Sequence, residues 1–427
     1  MRHWIPCFAL LSLACGNGGD AVPIAAAALS SPVPSPPATT ASARAESPSV
    51  IDADAPPSAP FPHGEKALAI VKDALLRHYD GIDVTEDDLD RAAIQGMLEH
   101  VDARRSSWNK LLAPDELQAL ELDLKGELVG VGIEINFDPP TGYTDIVGVI
   151  AGSPAEKAGL LAGDRILDID GRLFKGKTQK DMLAQIRGKV GETVTLNVLR
   201  DDRLISFPIV RQIVTLEVVH DGMLSDGVGY LRITSFNAKT RPAVDVGLDA
   251  LVKAGARALV VDLRGNQGGG FEDALATAEA LLPAGAGIAK VQKKGEAEHV
   301  YSVKAGATKL ATAPMAVLTN GDTASGAEIL AVALRQGRKA TVVGERTFGK
   351  WSLQTIEDLA NGYAAKYTIS LLRAPTGETY DGVGFTPDIE VNMDHKASLA
   401  SWHERDLEKR LAVDSQLRTA SNLLHAR

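Results

Sequence analysis

The stretch GERTFGKWSLQ, residues 344–354, presents Lys350 directly after a glycine. It approaches the phosphate-binding pattern of spaced glycines and a lysine, but Trp351 stands where Ser or Thr is required. Upstream, NGDTASGAEI places Ser325 at the head of an apolar, helix-like run, and DLRGNQGGG carries Gly268 and Gly269 in a glycine turn. A serine hydroxyl is a weak nucleophile until a base takes its proton. A lysine is such a base when neutral, and burial away from water favours that form. Backbone N–H groups from a glycine turn and from the first turn of a helix stabilise the oxyanion that follows. These residue types fit a Ser–Lys hydrolase, a known variant of the serine-hydrolase arrangement. Singly, each residue has a plainer use: Ser325 as a helix N-cap, Lys350 as a solvated surface cation, Gln354 as a polar strand residue.

Other chemistries are poorly served. The two cysteines, Cys7 and Cys15, lie in the first fifteen residues, so the rest of the chain offers no disulfide and no thiolate. No G-x-S-x-G elbow and no H-E-x-x-H is present, and His220, His299, His395 and His403 fall outside the three loops. Nothing calls for a metal or a cofactor. The net charge of −10, with interleaved signs and no basic stripe, argues against nucleic acid as a partner. GRLFKGKT, residues 171–178, satisfies the phosphate-loop pattern in full, but its bulky middle residues Arg172, Leu173, Phe174 and Lys175 suit a phosphate cradle badly.

The elements that must position these loops read as α/β. GVGYLRITSF, ALVVDL, PMAVLT and KATVVG are strand-like, and RPAVDVGLDALVKAG, FEDALATAEALL and ASGAEILAVALRQG are helical. Unbroken apolar runs such as LVVDL and MAVL belong to strands covered on both faces. A helix of about eleven residues after Ser325 carries the chain roughly 16 Å away. A strand of five or six residues brings it back a similar distance, so Lys350 returns to the sheet end that holds Ser325. The glycine turn leaves its own strand at that same end.

Ahead of this core, residues 64–123 carry helical spacing in EKALAIVKDALLRHY, DDLDRAAIQGMLEHV and APDELQALELDL, with His78 and His100 at their ends in surface roles. Residues 126–211 switch to short Val/Ile-rich strands with two short helices, SPAEKAGL and QKDMLAQIRG, the pattern of a small, partly open barrel. The leader MRHWIPCFALLSLAC reads as an export signal ending in a bacterial lipoprotein box, with Cys15 as the lipidated residue. The Ala/Pro/Ser segment behind it reads as a disordered tether. The expected division is 1–14 signal, 15–62 tether, 63–123 helices, 124–212 barrel module, 213–392 catalytic core and 393–427 helical tail.

Two resemblances follow from these residues. VGVGIEI with GSPAEKAGLLAGDRILDIDG resembles a PDZ domain. Taken together with NGDTASGAEI, GERTFGKWSLQ, DGVGFTPDI and DLRGNQGG, it resembles the C-terminal processing peptidases, over about residues 65–415. The resemblance implies a crotonase-like α/β protease core with an inserted PDZ domain and an N-terminal helical region. It implies Ser325 as nucleophile, Lys350 as base, Gln354 as its support, and oxyanion donors at Gly326 and at Gly268 or Gly269. It further implies that Val129, Gly130, Val131, Gly132 and Ile133 take the C-terminal tail of a protein substrate by strand addition. The expected enzyme is an exported, periplasmic, lipid-anchored bacterial endopeptidase. The resemblance leaves room for an adaptor protein and a homodimer, the charged tail either packing on the core or mediating that dimer. The competing reading is a PDZ-bearing scaffold with an inactive core. Trp351, Asp322 and Gln267 depart from the family pattern, and a bulky Trp351 is expected either to narrow a substrate pocket or to desolvate the lysine.

Overall fold

The computed structural model describes residues 6–7, 64–80, 83–102, 108–138, 143–174, 177–307 and 309–394, and 397–425 in part. Cys15, the expected tether and all of the leader but Pro6–Cys7 lie outside the described residues. Helix Gly64–His78 and the first part of helix Glu86–Asp102 form a unit of their own. Within it Lys72 Nζ meets Asp90 at 2.7 Å and Glu86 at 3.2 Å. His78 and His100 are exposed.

In the other unit the catalytic core is built on a six-stranded sheet. Its order is Val219–Leu224, Val228–Ile233, Ala258–Asp262, Met315–Thr319, Thr341–Gly344 and Ile389–Glu390. The first pair is antiparallel and the rest are parallel. The unbroken apolar runs are buried at every position in Val228–Ile233, Ala258–Asp262 and Met315–Thr319, because both faces are covered. Alternate residues point to opposite faces. Leu231, Ile233, Leu259, Val261 and Val317 meet helices Thr240–Lys253, Phe271–Leu281 and Gly326–Arg338. Tyr230, Val260, Ala316, Leu318 and Val343 meet Leu417, Ala420 and Leu424 of the C-terminal helix Ser415–His425. The tail thus packs on the core and closes its second face.

A second sheet holds the hairpin Ser352–Asp358 and Ala364–Arg373, continued by Gly287–Val291 and His299–Ser302. Lys110–Leu112 pairs with Ala364–Arg373, and Pro6–Cys7 lies along the outer edge of Ser352–Asp358.

The barrel module interrupts the chain cleanly. Glu127–Gly130 enters it and Gln212–Thr215 leaves it, and the two pair antiparallel. Between them Ile133–Asp138, Tyr143–Val149, Arg165–Ile169, Thr193–Arg200 and Arg203–Val210 form a five-stranded sheet in chain order. Helices Pro154–Ala158 and Gln179–Ile186 complete it, at the two short helical runs read from the sequence. The phosphate-loop look-alike is spent on this module. Phe174 is buried in its core, and Thr178 caps helix Gln179–Ile186 by accepting the Asp181 N–H at 3.2 Å. Lys175 and Gly176 lie outside the described residues.

Candidate active site

Ser325 joins strand Met315–Thr319 to helix Gly326–Arg338, at φ 58° and ψ −120°. A non-glycine residue held there costs about 1–3 kcal/mol and persists only where its surroundings fix it. The surroundings do so. Ser325 N–H donates to Glu328 Oε2 at 2.9 Å, and Ala324 N–H donates to the Asn266 carbonyl at 2.9 Å. Ser325 is fully buried and its Oγ has no hydrogen-bond partner, so the hydroxyl is not consumed as a helix cap.

The glycine turn lies directly against it. A Cβ on Gly268 would stand 2.8 Å from Ser325 Cβ, and one on Gly269 would stand 2.0 Å from the Phe236 carbonyl oxygen. Both positions take left-handed backbone, φ 101° and 140°, so glycine is required twice over. Asn266 organises the turn: its Nδ2 donates to the Ile233 carbonyl at 3.0 Å and its Oδ1 accepts the Gly268 N–H at 2.8 Å. Asn320 ties the turn to the serine loop, its Oδ1 accepting the Gly265 N–H at 2.9 Å.

The loop that carries Lys350 closes the third side. Phe348 N–H donates to the Thr323 carbonyl at 3.0 Å. Thr347 Oγ1 accepts the Phe385 N–H at 2.7 Å, which brings the DGVGF segment against GERTFGK. Gly382 N–H reaches the Gly349 carbonyl at 2.8 Å.

One buried carboxylate fastens the Ser325 and Lys350 loops together. Glu328 Oε2 accepts both the Ser325 N–H at 2.9 Å and the Lys350 N–H at 2.8 Å. Its Oε1 accepts the Gly349 N–H at 2.8 Å and the Thr347 hydroxyl at 2.6 Å. Burial pushes its pKa above the ordinary glutamate value, and the four donors pull it back. The sequence reading quoted Glu328 only as part of a motif; a capping-box spacing from Ser325 to Glu328 was the available signal.

The Lys350 and Gln354 side chains converge on a residue that the sequence reading missed. Lys350 Nζ lies 4.4 Å from the centroid of the Trp108 ring, and Gln354 Nε2 donates to the Trp108 carbonyl at 3.3 Å. Trp108 also makes an edge contact with Phe348, centroids 5.8 Å apart. Lys350 is 2% exposed and Gln354 fully buried. Trp351, the residue after Lys350, turns inward. Its ring is buried in the hydrophobic core, edge-on to Tyr380 at 5.0 Å, and Tyr380 in turn meets Phe385 at 5.3 Å. Among the described residues no group of three or more His, Cys, Asp or Glu is placed to hold a metal ion.

In the barrel module the five expected tail-binding residues divide. Val129 and Gly130 belong to the strand that enters the module, already paired with Ile213 and Gln212, and so lie outside the turn. The turn proper is Val131 and Gly132. Their carbonyls face inward, accepting the Ala155 and Ile150 N–H groups at 2.8 and 3.0 Å. Ile133 opens strand Ile133–Asp138, the edge of the five-stranded sheet.

Comparison with known proteins agrees with this construction. The family model described as peptidase family S41 matches residues 227–391, and the PDZ domain model matches residues 131–210. The carboxyl-terminal-processing protease of Picosynechococcus is 33% identical over 312 residues, 72% of this chain and 75% of that one. The carboxy-terminal processing protease CtpA of Bacillus subtilis is 31% identical over 344 residues, 80% of this chain and 72% of that one. Among solved structures, a photosystem II D1 C-terminal processing protease aligns with TM-score 0.50 and 26% identity, covering 82% of this chain and all of that chain. A putative S41 protease from Bacteroides fragilis shares the fold at TM-score 0.56 and 17% identity, over 86% of this chain and 98% of that one. With that identity spread across both the core and the PDZ module, this chain belongs to peptidase family S41, among the carboxyl-terminal-processing proteases.

Proposed function

We propose that Ser325 and Lys350 carry out the serine-type peptidase reaction of this carboxyl-terminal-processing protease. The observation that carries the assignment is Ser325 itself: a fully buried serine held at positive φ, its Oγ unspent, its backbone tied through Glu328 to that of Lys350. In the reaction Ser325 Oγ attacks the scissile carbonyl carbon while Lys350 Nζ takes the hydroxyl proton. Lys350 then gives that proton to the departing amine, leaving an acyl-enzyme on Ser325. Water attacks the ester, losing a proton to Lys350, which returns it to the departing Ser325 Oγ as the acid product is released.

Two N–H groups are assigned to the oxyanion. Gly326 supplies the first N–H of its helix, which has no partner inside the helix. From the glycine turn we assign Gly269 rather than Gly268, whose N–H is already given to Asn266. The bridge to Phe236 uses the Gly268 carbonyl and the Gly270 N–H, which turns the Gly269 N–H away from it. Gln354, anchored at Trp108, supports the lysine from the strand behind.

The edge strand Ile133–Asp138 and the Val131–Gly132 turn support a role in taking the extended C-terminal tail of a protein substrate. The leader supports an exported, periplasmic enzyme anchored through lipidated Cys15. A diacylglyceryl mass on Cys15 of the mature protein supports that anchor, and a mature chain cut elsewhere contradicts it.

The activity test is incubation with an unstructured protein that ends in an apolar tail. Cleavage lost on Ser325→Ala and on Lys350→Ala supports the assignment. Tail binding with no turnover by the wild-type chain favours the scaffold reading instead.

A further inference from the structure

The C-terminal helix touches the catalytic loops through two side chains that the mechanism does not use. Asp414 precedes helix Ser415–His425 and caps it, its Oδ1 accepting the Leu417 N–H at 2.8 Å. The same carboxylate accepts two hydrogen bonds from Arg264, Nη1 to Oδ1 at 3.0 Å and Nη2 to Oδ2 at 2.8 Å. Arg264 opens the RGNQGG turn, and on its other side it is gripped by Asp262, Nε to Oδ1 at 2.9 Å and Nη2 to Oδ2 at 2.6 Å.

Two residues further on, Gln416 is 2% exposed and uses both ends of its amide. Its Oε1 accepts from Arg264 Nη1 at 2.9 Å. Its Nε2 donates to Glu345 Oε1 at 3.2 Å and to the Val391 carbonyl at 2.7 Å. Glu345 is the second residue of GERTFGK, and its backbone is stitched to the end of the strand before Ser325. Its N–H donates to the Thr319 carbonyl at 2.9 Å, and its carbonyl accepts the Thr319 hydroxyl at 2.9 Å. Gln416 therefore spans the first residue of the oxyanion turn and the head of the base loop. An amide suits the place because the guanidinium needs an acceptor and the carboxylate needs a donor. A residue that merely filled the core would need neither.

We propose that Gln416, seated by Asp414, is a positioning residue for the peptidase reaction: it sets the distance between the turn that carries Gly269 and the loop that carries Lys350. The C-terminal helix is then part of the catalytic apparatus as well as a cover for the sheet. The proposal rests on the Ser325–Lys350 reading for its effect on turnover. Small misplacements far from the reacting atoms are costly, about a hundredfold in rate for roughly 1 Å.

The test is Gln416→Met, close in size but without the amide, against Asn422→Ala on the exposed side of the same helix as control. Steady-state kinetics on a peptide substrate are paired with amide hydrogen exchange on the whole chain. The expected result is a fall in kcat of about tenfold or more with KM within about twofold. Faster exchange should appear together in residues 264–269 and 344–350, with the PDZ sheet unchanged. Asn422→Ala should alter neither. An unchanged kcat, or faster exchange in one loop only, overturns the proposal. If the wild-type chain does not cleave at all, the peptidase assignment fails. The exchange pattern then decides the positioning role alone: simultaneous loosening of both loops upholds it and anything else overturns it.

Discussion

The catalytic cradle and the PDZ module use their backbones in opposite ways. In the cradle the backbone around Ser325 is largely committed: Glu328 takes four donors, Asn266 and Asn320 lace the glycine turn to the serine loop, and two glycines are walled in by neighbours. In the PDZ module the commitments face inward, and the outer strand Ile133–Asp138 is left at the edge of its sheet. Chemistry needs donors fixed before the reaction begins. Recognition of varied tails needs a template whose partner arrives from outside. Within one chain, rigidity and openness are separated by a two-strand junction, Glu127–Gly130 with Gln212–Thr215.

If the cradle is as over-determined as this, small additions should break it. Gly269→Ala is the most severe, since its methyl would sit 2.0 Å from the Phe236 carbonyl oxygen. Turnover should fall by about a hundredfold to a thousandfold, the range for losing an oxyanion donor. Single-turnover kinetics read this directly. Glu328→Gln comes next, because an amide NH2 replaces an oxygen that accepts two N–H or O–H donors. Denaturant melts should show a loss of about 1–3 kcal/mol, accompanied by reduced turnover.

The PDZ side should respond differently. Gly132 lies at φ 83° with Ser153 Cβ only 2.3 Å from where a Cβ would stand. Gly132→Ala is expected to raise KM severalfold, to about tenfold, for substrates with a free C-terminus and to leave kcat alone. Amidating the substrate tail should erase the difference between variant and wild type.

The smallest effect lies beside the junction. Asp123, in the last turn of helix Pro114–Leu124, has its carboxyl pKa pushed up to about 6 by burial, with the charge of Arg187 pulling the other way. A carboxyl whose folded pKa exceeds its unfolded value keeps a proton that the unfolded chain has lost. Stability from this group is therefore present at low pH and lost as pH rises from about 4 through 6. Asp123→Asn should flatten that segment of the stability profile and be the more stable form at pH 7.5 by on the order of 1 kcal/mol. Chemical melts across pH 4–8 would show it, and parallel profiles for the two proteins would refute it.

Much of the cradle was legible because its chemistry is local in sequence. Unbroken runs such as LVVDL and MAVL marked the covered strands, and the return of the chain after one helix placed Lys350 at the sheet end of Ser325. What covers a sheet is harder to read. The tail helix carries an amphipathic pattern, but nothing in that pattern says whether Leu417, Ala420 and Leu424 meet this sheet or a second molecule. Trp351 went into the core because Tyr380, some thirty residues later, returns to meet it with Phe385 packed behind. Trp108 stands 242 residues before Lys350 in sequence and 4.4 Å from it in space, with no local motif to announce the contact. Glu328 had a motif, but its reach to Lys350 depends on a loop closing from the next strand.

The most direct test of the account is covalent labelling of the wild-type chain with a serine-directed fluorophosphonate, followed by peptide mass mapping. The account predicts one phosphonylated site, Ser325, with labelling largely lost in Lys350→Ala while the variant remains folded. Labelling at another serine, or equal labelling of Ser325 without Lys350, would contradict it.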